Sequence, residues 1–283
     1  MDIELARTFL AVAATGNFVG AAARLHITQS TVSARIQTLE SQMAARLFRR
    51  GRGGAELTAA GQRFLRHAKT LVRTLEQARN EVGLPSGFSG MLTLGGRSAL
   101  WHGFLPNWVG WMREAIPDLA LRLEVGFEEA IMEDLMQGTV DIGVMYTPES
   151  RPGLAVEHLF DESLVLITSK PDCPWPDPDY IHVDWGPEFL AQFGSRVPGA
   201  GTPSRSANIG WIGLPLIEAY GGSAYLPLRT VREALDQDRL WLIDAAPVIA
   251  LPVHMVFPTD RDEPHLARAV QKLRSLGAEE RAR

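Results

Sequence analysis

The chain has 283 residues, of which 46% are hydrophobic and 22% are charged. This length and composition are typical of a globular protein with two or three domains. No apolar run approaches the roughly 18 residues of a membrane span, and we expect no signal peptide, because the first residues lack its basic and apolar regions. Cys173 is the single cysteine, which excludes an intrachain disulfide, and together these features predict a cytoplasmic protein.

Charge is distributed unevenly along the chain. Residues 1–84 carry twelve Lys and Arg against six Asp and Glu, whereas the remainder carries sixteen against twenty-seven. A basic N-terminal part on an acidic body indicates a nucleic-acid-binding module joined to a second function. Uneven charge also occurs in proteins of other kinds, so the pattern needs support from motifs.

Residues 1–57 predict three short helices and a hairpin. An apolar stripe at helical spacing predicts the first helix, and Asn17 and Thr28 are N-cap candidates for the second and third. The second helix, over about 18–25, is rich in small residues that allow close helix packing. The inward-facing residues of the third helix are Val32, Ile36 and Leu39.

The third helix keeps a short, polar N-terminal half, which predicts the recognition helix of a helix-turn-helix. Glutamine can pair with adenine, hydroxyl groups can contact bases or phosphates, and arginine can reach guanine or phosphate. The basic, glycine-rich segment 49–54 separates two short extended pieces, which predicts a wing that contacts the DNA backbone. A plain three-helix bundle with a solvated basic loop is the alternative.

The segment FLAVAATGNFVGAAARLHITQSTVSARIQTLESQMAARLFRRGRGGAELTAAG, residues 9–61, closely resembles the N-terminal domain of LysR-type transcriptional regulators. The resemblance implies a winged helix-turn-helix over 1–57, with recognition-helix side chains in the groove and wing arginines on the backbone. In the family an arginine often follows the recognition-helix serine directly. Here Ala34 stands there and Arg35 follows, so Arg35 could contact a base or a phosphate. The predicted DNA-binding residues are Thr28, Gln29, Ser30, Thr31, Ser33, Arg35, Arg49, Arg50, Arg52 and Thr58.

Residues 58–84 predict a long linker helix that begins after the N-cap candidate Thr58. Apolar residues spaced alternately three and four apart form a seam over three heptads. Such a seam packs either on the protein's own body or on a second copy, and the resemblance implies self-association into a dimer or tetramer. The predicted dimerisation residues are Phe64, Ala68, Leu71, Leu75, Ala78 and Val82. The Gly- and Ser-rich segment 85–90 predicts a hinge.

In residues 91–283, strands and helices alternate, which predicts an α/β domain with parallel sheets covered by helices. The predicted strands include 91–95, 120–125, 140–145 and 164–168, and the predicted helices include about 105–114, 128–137 and 206–220. Segments 171–187 and 194–201 are predicted loops, and a glycine turn at 221–222 leads into a Leu-Pro pair. The segment QGTVDIGVMY, residues 137–146, resembles an element of the effector domain of the same family, whose fold periplasmic solute-binding proteins share. The resemblance implies two subdomains in a periplasmic-binding-protein-like arrangement. Subdomain I is expected at about 91–163 and 253–283, and subdomain II at about 164–252.

Ligands of open α/β sheets bind at the carboxyl ends of strands, in the crevice between halves. Arg97, the Ser98 hydroxyl and helix N-terminal amides there would suit an anion. A surface or core role is the alternative for each candidate. The predicted effector-binding residues are Arg97, Ser98, Ala99, Leu100, Trp101, Phe127, Tyr146, Ser195, Arg196, Gly222 and Ser223.

No catalytic motif is present, and the seven histidines lack metal-ligand spacing, so we expect no catalytic residue, metal or cofactor. The sequence predicts a sequence-specific LysR-type regulator that senses a small effector, for which an anion is one option. The expected partners are a pseudo-palindromic double-stranded operator, further copies of the chain and RNA polymerase, with no membrane. A ligand-independent regulator is the alternative, and a small-molecule receptor or an enzyme is less favoured.

Overall fold

The computed structural model describes residues 2–51, 54–84, 86–197 and 203–282, without the side chains of residues 50, 77, 80 and 81. The chain divides into two compact units. Unit 1 comprises Met1–Met91 and Glu133–Val140, and unit 2 comprises Leu92–Met132 and Asp141–Arg283.

The elements follow the chain in this order. The helices are α1 (Ile3–Thr15), α2 (Phe18–Arg24), α3 (Gln29–Met43), α4 (Ala59–Val82), α5 (Leu105–Ala115), α6 (Glu128–Gln137), α7 (Pro187–Arg196), α8 (Gly210–Tyr220), α9 (Leu228–Asp236) and α10 (Pro264–Arg281), with a 3-10 turn at Ser98–Trp101. The strands are β1 (Phe48–Gly51), β2 (Gly54–Leu57), β3 (Gly90–Gly96), β4 (Leu119–Val125), β5 (Ile142–Met145), β6 (Leu154–Thr168), β7 (Ile181–Val183), β8 (Arg205–Ala207), β9 (Ser223–Pro227), β10 (Trp241–Leu242) and β11 (Ile249–Pro258).

Side-chain caps determine where the first three helices begin. The Asn17 side chain accepts a hydrogen bond from Gly20 N at 2.5 Å, and that of Thr28 accepts one from Thr31 N at 3.2 Å. Gly16 ends α1 in the left-handed region, at φ 67°, where a side chain would be strained. The predicted caps and the three helices are confirmed.

The core of unit 1 forms around Phe9. Its ring lies 5.1 Å from that of Phe48 in β1 and 4.9 Å from that of Phe64 in α4. The predicted inward face of α3 is buried as well. Strands β1 and β2 form the predicted wing hairpin, with Phe48 opposite Leu57.

The predicted dimerisation seam on α4 is divided between the core of unit 1 and solvent. Phe64 packs on Phe9 and Ala68 is fully buried in the core of unit 1, because the N-terminal half of α4 lies against α1. Farther along, Leu71 is 40% exposed and Val82 is 89% exposed. The first part of the seam therefore packs at least partly within the chain, and its C-terminal part is more exposed. A dimer contact through these residues stays a prediction.

The sheet of unit 2 contains both parallel and antiparallel strand pairs, so the expectation that all its strands are parallel is wrong. Among the described residues it has seven strands in the order β10-β6-β11-β5-β3-β4, with β9 also paired to β6. Strands β3 and β5 are parallel, whereas β11 is antiparallel to both β5 and β6 and β9 is antiparallel to β6. Strand β6 has 15 residues, of which the sequence predicted only 164–168, because polar residues interrupt its first half.

Strands β6 and β11 run through the whole of unit 2. Their pairing extends from Ile249 opposite Leu164 to Pro258 opposite Leu154, with a register shift between Val253 and His254. The shift lies beside the predicted subdomain boundary at 252/253. The topology supports the division into two subdomains, whose exact limits stay a prediction.

Several elements of unit 2 were not expected. Helix α7 occupies 187–196, between and partly within two segments, 171–187 and 194–201, that the sequence predicted as loops. Pro187 stands at its first turn, where proline is tolerated. The helix predicted from residue 206 begins at Gly210, since 205–207 pair with β7 as strand β8. Within the described part of the chain, no helix is long and apolar enough to cross a membrane.

Candidate nucleic-acid interface and cleft

The N-terminal face of α3 presents the polar side chains that the sequence singled out. Gln29 and Ser30 are exposed, and Thr31 and Ser33 are half-buried. The Thr28 hydroxyl lies 2.8 Å from the hydroxyls of both Ser30 and Thr31, so three short side chains form one hydrogen-bonded group at the helix start. A cluster of this kind at a helix N-terminus can donate to a phosphate, and Gln29 is open to a base.

Arg35 is engaged within unit 1. Its Nη1 lies 3.1 Å from Glu4 Oε2 and 3.3 Å from the hydroxyl of the fully buried Thr8. These bonds hold α3 against α1, which indicates a positioning role. A DNA contact from Arg35 stays a prediction and would require the guanidinium to leave Glu4.

The wing carries Arg49 on an exposed strand. Arg49 Nε donates to Glu56 Oε2 across the hairpin at 2.8 Å, and both side chains are mostly exposed. An exposed pair of this kind is weak, so a phosphate can compete for the guanidinium. The side chain of Arg50 and the whole of Arg52 lie outside the described residues.

Thr58, which was predicted to contact DNA, caps α4. Its hydroxyl accepts from Gly61 N at 3.0 Å and donates to Arg46 O at 2.7 Å. These bonds connect the wing to the linker helix, and a phosphate contact from Thr58 stays a prediction.

Glu40 joins the recognition helix to the wing, a role that the sequence reading missed. Its carboxylate is buried and accepts hydrogen bonds from Leu47 N at 2.8 Å, Phe48 N at 3.2 Å and Arg46 Nη1 at 2.9 Å. Hydrogen bonds to a charged acceptor are strong, so Glu40 determines how β1 leaves α3. A carboxylate directly beside the inward-facing Leu39 was the signal in the sequence.

Unit 2 contains a cavity of about 190 Å³ beside the 3-10 turn. The turn and its following residue form one wall, and α8, the end of β9 and the start of α9 form the other. The lining residues are Ala99, His102, Trp185, Gly210, Trp211, Leu214, Pro215, Leu226, Pro227 and Thr230.

Of the predicted effector residues, Ala99 lines this cavity, and Arg97 is used elsewhere. Arg97 is 5% exposed, its guanidinium stacks 4.8 Å from the centre of the Phe127 ring, and its Nε lies 3.3 Å from Glu128 Oε1. The charge of Arg97 is therefore already compensated by a carboxylate. A contact between Arg97 and an effector stays a prediction, and it would compete with Glu128.

The other predicted residues of subdomain I are not among those that line the cavity. Leu100 is fully buried, and Trp101 Nε1 donates to Gly96 O at 3.3 Å. Tyr146 is buried with its ring 6.2 Å from Trp185, and its hydroxyl has no hydrogen-bond partner within the described residues. Burial raises the pKa of the Tyr146 hydroxyl, which stays protonated. Ser98 is half-buried and does not line the cavity.

The predicted residues of subdomain II are away from the cavity. Ser195 and Arg196 are exposed at the C-terminal end of α7, where the Ser195 hydroxyl donates to Gln192 O at 3.0 Å. Ser223 pairs with Thr168 at the start of β9, whereas Pro227 at its other end lines the cavity. Because four residue steps of a strand span about 13 Å, Ser223 lies about that far from the cavity end of β9.

Gly222 has a conformational role, and a contact between Gly222 and an effector stays a prediction. Its φ is 108°, and a Cβ there would lie 2.4 Å from Asp179 O. The glycine turn into Leu-Pro was noted in the sequence, but the residues that reach the cavity are Leu226 and Pro227.

A buried ion pair between Arg229 and Glu162 lies beside the cavity. The sequence did not predict this pair. Arg229 Nε donates to Glu162 Oε2 at 2.9 Å, its Nη2 donates to Ala99 O at 2.9 Å, and its Nη1 donates to His102 O. Arg229 thereby links α9 to β6 and to the 3-10 turn. Burial raises the pKa of the Glu162 carboxyl, an effect that the Arg229 guanidinium partly offsets.

In the part of the chain that the structure describes, no three or more His, Cys, Asp or Glu side chains are placed to hold a metal ion.

Known proteins resemble the whole chain. Residues 3–62 match the family model described as the bacterial regulatory helix-turn-helix protein, lysR family, and residues 85–275 match the LysR substrate binding domain. The HTH-type transcriptional regulator HdfR of Yersinia pestis (strain Pestoides F) is 30% identical, over 96% of each chain.

Solved structures share the fold. ArgP from Mycobacterium tuberculosis superposes with a TM-score of 0.61 at 20% identity, covering 98% of both chains. Full-length CbnR complexed with its target DNA has a TM-score of 0.52 at 22% identity, covering 98% of this chain and 100% of that one. With two family models over most of its length and a regulator relative at 30% identity, this chain belongs to the family of LysR-type transcriptional regulators.

Proposed function

We propose that this regulator binds a pseudo-palindromic operator as a dimer or a dimer of dimers and responds to a small molecule in the cavity of unit 2. The observation that carries the DNA-binding part is the N-terminal face of α3, where Gln29 is exposed beside the hydrogen-bonded group of Thr28, Ser30 and Thr31. A helix N-terminus with short polar side chains suits the major groove. The basic character of residues 1–84 supports attraction to phosphates.

Self-association would place two recognition helices on two half-sites. The support within this chain is the exposed C-terminal half of α4, where Leu71, Ala78 and Val82 reach solvent. A second copy that covered this stretch would complete the heptad seam. Ala68 is buried within unit 1 and Phe64 packs there in part, so we propose that the exposed stretch supplies most of the interface.

The response to a ligand would act through the two subdomains. A molecule in the cavity contacts both the 3-10 turn and α8, so it favours one relative position of these walls over another. Ligand binding and operator binding are then coupled, and the change is transmitted to RNA polymerase. We place this regulator in the cytoplasm and assign it no catalytic reaction, in keeping with relatives that are transcriptional regulators.

A gel-shift titration with the DNA upstream of the protein's own gene tests the proposal. At moderate salt, the wild type should bind this fragment at least about 10³-fold more tightly than random DNA. Gln29→Ala should weaken binding to the specific fragment by about tenfold, since one base contact contributes roughly 1–3 kcal/mol, and should leave binding to random DNA unchanged.

Gln37→Ala is the matched control for this titration. Gln37 is an exposed glutamine of the same helix, about 12 Å farther along its axis, and its substitution should change neither affinity. Equal affinity of the wild type for upstream and random DNA would refute operator recognition. Equal losses in Gln29→Ala and Gln37→Ala would refute the groove assignment.

A further inference from the structure

The cavity of unit 2 is lined almost entirely by apolar groups. Two of its lining side chains are tryptophans, Trp185 and Trp211, which stand with Leu214, Leu226 and two prolines. None of its lining residues is an Asp, Glu, Lys or Arg. A charged ligand would lose its hydration on entry without gaining a partner charge from the wall.

The polar groups at this wall are largely committed to the protein. Trp185 Nε1 donates to Tyr225 O at 2.9 Å, and the Thr230 hydroxyl donates to Pro227 O at 2.7 Å. The nearest arginine, Arg229, directs its donors to Glu162 and to the carbonyls of Ala99 and His102. His102 and Trp211 are exposed lining residues that carry ring nitrogens.

The size and shape of the cavity limit which ligands it can hold. A cavity of about 150 Å³ holds benzene, so 190 Å³ suits a single or small fused ring. The backbone of Gly210 packs directly against the indole of Trp185, so closely that a Cβ at this position would lie 2.1 Å from Trp185 Cη2. The indole of Trp185 is 2% exposed and Trp211 is 61% exposed, so one ring forms the floor and the other the rim.

We propose that the effector is an uncharged aromatic molecule of one or two fused rings, held in this apolar cavity against the exposed indole of Trp211. This inference rests on the proposed effector response and names the chemical class of the ligand. It replaces the anion suggested by the sequence, because Arg97 and Arg229 both face carboxylates of the protein itself. Ring stacking and burial of apolar surface supply the affinity.

Calorimetry on the full-length protein with indole and indole-3-carboxylate tests this assignment. Indole should bind with a negative heat-capacity change, the mark of apolar burial. It should bind at least about tenfold more tightly than the carboxylate, since the anion finds no partner charge in the wall. Trp211→Ala should weaken indole binding by about tenfold, because a stacked aromatic pair contributes beyond its buried area.

Trp111→Ala is the matched control. Trp111 is a half-buried tryptophan of α5 that stacks with Arg268 and Lys272 outside the cavity, and its removal should leave indole affinity unchanged. Tighter binding of the carboxylate, absence of indole binding, or equal indole affinity of Trp211→Ala and the wild type would overturn the assignment.

Gel shifts on the same preparations separate this proposal from the proposed function. Loss of operator specificity with intact indole binding would refute the function and retain the site. Specific DNA binding without indole binding would refute the ligand class alone.

Discussion

Replacing Arg229 with methionine should destabilise unit 2 by about 3–5 kcal/mol at pH 7, the range found when one partner of a buried ion pair is removed. The side chain of Glu162 is 4% exposed and that of Arg229 is 14% exposed, so both charges are largely removed from bulk water. Methionine retains much of the arginine's length but cannot donate. The Glu162 carboxylate and the carbonyls of Ala99 and His102 would then lose their shared donor.

The loss should depend on pH in a defined direction. Burial already raises the pKa of Glu162, and Arg229→Met removes the charge that partly offsets this effect. The folded variant therefore holds a proton on Glu162 at pH values where the unfolded chain, with a glutamate pKa of about 4.3, has released it. The destabilisation grows as pH rises from the unfolded pKa through the folded pKa, and it shrinks as pH falls.

Urea unfolding at pH 5 and pH 7, followed by tryptophan fluorescence, measures both effects. All seven tryptophans lie between residues 101 and 241, so the signal reports on unit 2. Arg239→Met is the matched control, because Arg239 pairs with Glu218 at the surface and such pairs contribute about 0–1 kcal/mol. The reasoning is refuted if Arg229→Met and Arg239→Met lose equal stability at pH 7, or if the Arg229→Met loss is the same at both pH values.

Two further predictions concern unit 1. Glu40→Ala should lower its stability by at least about 2 kcal/mol, because two buried backbone N–H groups lose their acceptor. Thermal unfolding followed by circular dichroism measures this loss, with the exposed Glu56→Ala as control, and equal midpoints would contradict the role of Glu40. Leu71→Lys should shift the protein towards monomer in sedimentation velocity without unfolding it, since Leu71 is 40% exposed. An unchanged oligomer would exclude this stretch of α4 from the interface.

Much of unit 1 could be predicted because its determinants are local. The N-cap oxygens of Asn17 and Thr28 bond to amides within three residues, so a short window of sequence contains the whole interaction. The small residues of α2 and the period of α3 likewise act over one or two helical turns. The family resemblance then supplied a function for the polar face.

The predicted roles of Arg35, Phe64 and Ala68 show where local reasoning ended. Arg35 meets Glu4, which is 31 residues away in the chain. Phe64 and Ala68 fit a dimer seam and an intrachain core equally well by spacing, and only the structure shows that both contact the core beside α1.

The elements around the cavity of unit 2 were the hardest to predict from the sequence, because their arrangement depends on tertiary structure. Helical and strand periods correctly indicated β3, α5, α6 and β5, since each contains enough apolar residues to show its own pattern. The first half of β6 was not predicted as a strand because polar residues interrupt its apolar pattern, and the start of α7 was not predicted because it falls at Pro187.

By itself, the sequence determined the class of this protein through its resemblance to a known family. It also determined the helix-turn-helix with its wing and the polar residues that α3 presents, because caps and periodicity act between neighbours in the chain. Only the tertiary structure decided which charges are free. From the sequence, Arg97 suggested an anion site, and only the structure shows that Glu128 and Phe127 already lie beside its guanidinium. Arg229 and Glu162 are separated by 67 residues, so their pairing and the apolar cavity beside it exist only once β6 and α9 have packed together.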